Sequence, residues 1–156
     1  MNQRSPCPHH PQSDYGRDFE RTLNFFVEAR GGFSNMDNVL VYLVHRTNRL
    51  IMETRSIVSG SHTRKTAQFV RTCAAFNFIT IPSIGDVFQR LYLYLTSGTT
   101  AVVNQALAQA ESLFRAAIAQ ITDVPQEMDV EGENIRTEQR LVAFVIEFLG
   151  ALLVRG

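Results

Sequence analysis

Residues 64–83 read Arg64-Lys65-Thr66-Ala67-Gln68-Phe69-Val70-Arg71-Thr72-Cys73-Ala74-Ala75-Phe76-Asn77-Phe78-Ile79-Thr80-Ile81-Pro82-Ser83. This spacing predicts a helix that is apolar on nearly every side, with a basic start and a stop at Pro82. A helix with so little polar surface needs neighbours on at least two sides. The flanking chain carries similar helical patterns and almost no strand signal. An all-α stack of helices follows, and such stacks work by presenting extended surfaces to partners.

Working outward, residues 18–30 predict a first helix on Phe19, Leu23, Phe26 and Val27, ended by Gly31-Gly32. Ser34 with Asp37 reads as a capping box opening a second helix, whose apolar stripe runs from Val39 to Val58 and stops at Gly60. The central helix spans about residues 62–80. Ser83 with Asp86 opens a fourth helix on Val87, Phe88, Leu91 and Leu95, with Gly98 as its stop. Tyr92-Leu93-Tyr94-Leu95 alternates like a strand, but the flanking cap and glycine favour helix. Thr99 or Thr100 caps a fifth helix with one broad apolar face that includes Val103, Leu113, Phe114 and Ile118; Glu111 and Arg115 pair on the other. An acidic loop at 123–136 has room for a short hairpin about Glu131-Gly132-Glu133. Residues 137–154 form a sixth, core helix without a clear end cap, as if taken from a longer chain. Helices of similar length joined by short Gly, Pro and Ser turns fit degenerate HEAT-like repeats, an α-solenoid of antiparallel helix pairs over residues 17–156. Residues 1–16, with Pro6, Pro8 and Pro11, read as a disordered tail.

The chain has 156 residues, 45% of them hydrophobic, and zero formal net charge. That balance favours neither nucleic acid nor an acidic membrane surface. Charge is nonetheless polarised. Between Glu53 and Asp86 lie Arg55, Arg64, Lys65 and Arg71 with no acid; between Thr122 and Asn134 lie Asp123, Glu127, Asp129, Glu131 and Glu133 with no base. These read either as solvated faces or as two polarised contact surfaces. Lys65 is the chain's one lysine, and arginine suits forked interface contacts. The apolar run 141–154, broken by Glu147 and Gly150, is shorter than the roughly 20 residues of a membrane span. Cys73 reads as a buried small hydrophobe, nothing suggests a disulfide framework, and an intracellular setting follows.

Sequence chemistry points away from catalysis. Gly60-Ser61-His62-Thr63-Arg64-Lys65-Thr66 resembles a phosphate-binding loop, but Arg64 stands where that loop needs glycine, and a helix precedes it in place of a strand. Cys7, His9 and His10 have metal-like types without a second pair at ligand spacing. His45 and His62 are single histidines on separate helices. No nucleophile elbow, His-Glu-x-x-His or dinucleotide fingerprint occurs. No metal, cofactor or catalytic residue is expected, and the serines and threonines sit mainly where caps explain them.

Several segments resemble a known family. They are Asp18-Phe19-Glu20, Val39-Leu40-Val41 through His45, Asn48-Arg49-Leu50-Ile51-Met52-Glu53-Thr54-Arg55, residues 62–66, Phe69-Val70-Arg71 and above all Phe78-Ile79-Thr80-Ile81-Pro82-Ser83. Together they resemble the C-terminal half of the large subunit of retriever, the vacuolar protein sorting-associated protein 35-like family of endosomal sorting factors. The resemblance covers about residues 18–154; the acidic loop at 123–134 is more acidic than that pattern. It implies an α-solenoid scaffold, cytoplasmic and peripheral to the endosomal membrane, that recycles cargo to the cell surface. It implies a small metallophosphoesterase-fold subunit cradled by the C-terminal solenoid and an arrestin-like subunit on an N-terminal half not contained here. It further implies a coiled-coil and COMM-domain complex joined to form Commander.

The expectation is therefore a non-enzymatic scaffold, with Arg64, Lys65 and Arg71 as candidate partner-binding residues. The competing reading is a self-contained helical bundle that binds a small apolar ligand. A solenoid segment leaves an apolar face exposed on its end helices, whereas a bundle closes on itself.

Overall fold

The computed structural model describes residues 12–155. Six helices follow in order: α1 (Gln12–Gly32), α2 (Asp37–Ile57), α3 (Arg64–Thr80), α4 (Val87–Val103), α5 (Leu107–Ile121) and α6 (Glu138–Arg155). A 3-10 turn (Ile81–Ser83) links α3 to α4, and a hairpin of β1 (Glu127–Val130) and β2 (Glu133–Arg136) separates α5 from α6. The helices lie in two rows. α1, α3 and α5 form one row; α2, α4 and α6 form the other. Helices pack on their neighbours along both rows and, from α1 to α5, across them; α6 packs chiefly on α4, and no comparable contact joins α1 to α5 or α6. This open, layered order is that of an α-solenoid of antiparallel pairs, not of a bundle closed on itself. The first helix starts at Gln12, ahead of the expected Asp18. Residues 1–11, most of the expected tail with Cys7, His9 and His10, lie outside the described residues.

The core runs continuously through the stack, from Leu23 and Phe26 on α1 to Phe144 and Phe148 on α6. A polar knot crosses its middle. Asn48 of α2 donates to Ser97 of α4 at 3.0 Å, and Asn77 of α3 donates to Asn48 at 2.8 Å. Buried amides are costly unless bonded, so these bonds favour one alignment of the three helices, although the buried Asn77 Oδ1 has no partner among the described residues. At the end of the stack, Arg140 of α6 lies 4.1 Å over the Phe88 ring, and Tyr92 meets Phe144 edge-on at 5.2 Å. These two contacts run α6 parallel to α4.

Several boundaries differ from those the sequence suggests. Ser34 does not cap α2: the cap position is Met36, without a side-chain bond. Asp37 instead accepts a hydrogen bond from the Gly85 amide at 2.9 Å, tying the α1–α2 corner to the α3–α4 corner. α4 is capped by Asp86 itself, which accepts from the Gln89 amide at 2.7 Å, and not by Ser83. Gly98 does not stop α4. It is buried mid-helix, where a Cβ would lie 2.4 Å from the Phe114 ring of α5, so it is a close-packing glycine. Thr99 and Thr100 accordingly lie inside α4 and do not cap α5. The break comes later, at Gln105, a non-glycine residue with φ 61°, before the uncapped start of α5 at Ala106.

Other signals hold. Gly60, at φ 80°, ends α2 with its amide bonded to the Arg55 carbonyl. Thr63 and Thr66 cap α3 reciprocally. The hairpin forms at Glu131-Gly132, both with positive φ, as a two-residue primed turn requires. Tyr92-Leu93-Tyr94-Leu95 is helical.

Candidate protein-interaction surfaces

Arg64 and Lys65 open α3 and are both exposed. They form one rim of an open groove of about 620 Å³ between α1 and α3. Glu20, Leu23 and Asn24 of α1 make the facing wall, and Phe69 lies between. The groove exists because Phe19 stacks on Phe69 with ring centroids 6.4 Å apart and Leu23 is buried beneath. These apolar residues hold the helices together while shorter polar side chains leave the upper part unfilled. Arg71 does not join Arg64 and Lys65 in the groove. It is half-buried and donates to Gln68 on its own helix at 2.8 Å. At 100° per residue it stands about 20° around α3 from Arg64 but two turns further along, outside the groove lining.

Among the described residues, the ion pairs within 4 Å are Arg49–Glu53 and Arg115–Glu111. Among those residues no carboxylate pairs with Arg64 or Lys65, and α3 has no acid in its first turn. Positive charge at a helix start opposes the helix dipole, so an anion from outside would stabilise it. The acidic counterpart is also real. Glu127, Asp129, Glu131 and Glu133 are all exposed on the hairpin, and Asp129 also accepts from the Gly132 amide at 2.8 Å.

A second surface is the exposed apolar face expected on an end helix of a solenoid segment, here on α6. α6 buries Phe144 and Phe148 yet leaves Val142, Ile146, Leu149 and Leu153 exposed at 52%, 66%, 51% and 82%. Their spacing of four, three and four places them on one stripe turned away from the core. Sequence periodicity could not find this face, because a helix apolar all round reads as core. Leu107 and Ile118 of α5 are exposed on the same side of their helix as Phe114, which packs edge-on against Phe148 at 5.7 Å. They widen the patch beyond α6.

His62 and Cys73 are absorbed by structure, whereas His45 is exposed on α2. Both ring nitrogens of His62 are engaged, with Asn104 at 2.8 Å and Thr66 at 3.2 Å. Cys73 is fully buried, and desolvation pushes its thiol up to about 12. Burial raises Tyr94, opposed by nearby Arg90. Among the described residues, no three His, Cys, Asp or Glu side chains converge as a metal site, and no helix is long and apolar enough to cross a membrane.

Residues 10–155 match the family described as the VPS35L C-terminal domain. The chain belongs to that family. A human relative named VPS35 endosomal protein-sorting factor-like is 49% identical over 140 residues, which cover 90% of this chain and 14% of the relative. Relatives of similar name from Dictyostelium discoideum and Drosophila melanogaster are 43% and 40% identical over 141 residues, again 90% of this chain and 14% of each relative. The chain thus spans about a seventh of the length of these curated relatives.

Proposed function

We propose that the chain is a scaffold segment, without catalytic activity, of a retriever- or Commander-type complex that recycles cargo from endosomes. Such a scaffold is cytoplasmic and peripheral to the endosomal membrane. The observation that carries the reading is the open helical stack within a family whose relatives are named endosomal sorting factors. A stack of this form works by shape, offering a long, rigid surface to folded partners. Its partners in this reading are the small metallophosphoesterase-fold subunit, cradled by the solenoid, and the coiled-coil and COMM-domain complex. The arrestin-like subunit binds elsewhere, through an N-terminal half. Arg64 and Lys65, exposed and in no ion pair among the described residues, support a protein contact at the start of α3, with Arg71 contributing from beside it.

Charge reversal at Arg64 and Lys65 in the full-length protein tests this assignment. Co-purification of the small subunit should fall while the arrestin-like subunit stays bound and helicity is unchanged. Undiminished capture of the small subunit would make these residues a solvated face.

A further inference from the structure

The groove between α1 and α3 combines three features. Its floor is apolar, from buried Leu23 and half-buried Phe69. One rim carries Arg64 and Lys65, and among the described residues no carboxylate lies within ion-pair distance of either. The opposite wall carries Glu20, beside the uncharged amide of Asn24. We propose that this groove holds a short acidic peptide segment of a partner protein, with a carboxylate between Arg64 and Lys65 and an apolar side chain on Leu23 and Phe69. The inference rests on the reading of Arg64 and Lys65 as a protein contact. It adds that the contact is an inserted segment and not a flat face of a folded domain.

Size, charge and chemistry select that occupant. A volume of about 620 Å³ lies in the range of ligand clefts and takes a few side chains, not a domain. Two cations facing one anion leave a net charge of one, too little for a phosphate backbone, and Glu20 would repel a polyanion laid along the groove. A peptide avoids that conflict by placing its acid at one rim and a neutral residue at the other. The Arg64 guanidinium offers a fork that matches a carboxylate, and Lys65 adds a point charge beside it. Asn24 offers a donor and an acceptor to the main chain of an extended segment.

A random-peptide library displayed on phage, panned against the immobilised chain, tests the proposal. Enriched sequences should join Asp or Glu to a large apolar residue a few positions away. Fluorescence polarisation with the leading enriched peptide should then show binding that weakens with salt. Arg64→Glu with Lys65→Glu should reduce affinity about tenfold or more. Asn24→Trp, which fills the groove while leaving both cations in place, should do the same. Glu20→Gln should not weaken binding. Circular dichroism and the thermal midpoint should match the parent in every variant, since all four positions lie at the surface. Absence of enriched binders, enrichment without an acidic bias, or binding that survives either the double reversal or Asn24→Trp would overturn the inserted-peptide model. Small-subunit capture lost on charge reversal yet intact in Asn24→Trp would leave the protein contact standing and remove only the groove.

Discussion

Replacing Gly98 by alanine or valine should destabilise the chain, although either is a better helix former than glycine. The alanine Cβ would lie 2.4, 2.8 and 2.9 Å from Cε1, Cδ1 and Cζ of Phe114, well inside the roughly 3.5–4.0 Å of a favourable carbon contact. The ring cannot simply retreat, because Phe148 of α6 meets it edge-on at 5.7 Å. Overpacking of this kind costs about 1–3 kcal/mol, while removing a mid-helix glycine returns about 1 kcal/mol. Gly98→Ala should therefore lose about 1 kcal/mol. Gly98→Val, bulkier and a poorer helix former than alanine, should lose about 2–3 kcal/mol. Phe114→Leu removes the obstacle at its own cost. In the double variant the methyl fills part of the vacated space, so Gly98→Ala with Phe114→Leu should be more stable than the sum of the singles by about 1–2 kcal/mol. Urea unfolding followed by far-UV circular dichroism, at low protein concentration, measures all four variants against the parent. Strict additivity, or a Gly98→Val chain as stable as the parent, would refute the account of Gly98 as a close-packing residue.

Two further outcomes follow from burial. Phe76→Ala should cost about 3–5 kcal/mol, since its ring is buried in α3, whereas Arg115→Ala, whose pair with Glu111 is largely exposed, should cost under about 0.5 kcal/mol; urea midpoints that fail to separate these variants would show the helix faces to be misassigned. Cys73 should resist iodoacetamide in the folded chain and react once it is unfolded, as mass spectrometry of the Cys73 peptide can read. The unfolded thiol ionises near 9.0 and the folded one only at about 12, so the contribution of Cys73 to stability is full below pH 9 and declines as pH rises towards 12. Cys73→Ala should flatten that alkaline decline.

The fold was legible because its signals are local. The run from Phe69 to Ile81 declares a helix surrounded on several sides, Pro82 ends it, and Gly60 and Glu131-Gly132 mark turns that only certain backbones adopt. Failures came where tertiary packing overrode local reading. Gly98 has the sequence of a stop, yet its lack of a side chain serves the approach of Phe114. Gln105 carries no turn signature, although it is the left-handed break between α4 and α5. Asp37 has the spacing of a capping box but is drawn to Gly85, remote in sequence. The interaction surfaces divide in the same way. A basic start to α3 is visible as composition, but the wall that makes it a groove comes from α1. The outer stripe of α6 is hidden because Ile146 and Phe144 look equally buried until their neighbours are known.

The stack is open, and α6 presents an uncovered apolar face. Sedimentation velocity of the isolated chain over a range of concentrations tests it most directly. Arrays with such faces need polar ends to stay apart, so the parent should self-associate as concentration rises. Ile146→Glu with Leu149→Glu, both on exposed sites of α6, should sediment as a monomer with unchanged helicity. A parent chain that remains a clean monomer at high concentration, or a double variant that associates as strongly as the parent, would contradict the open-ended stack.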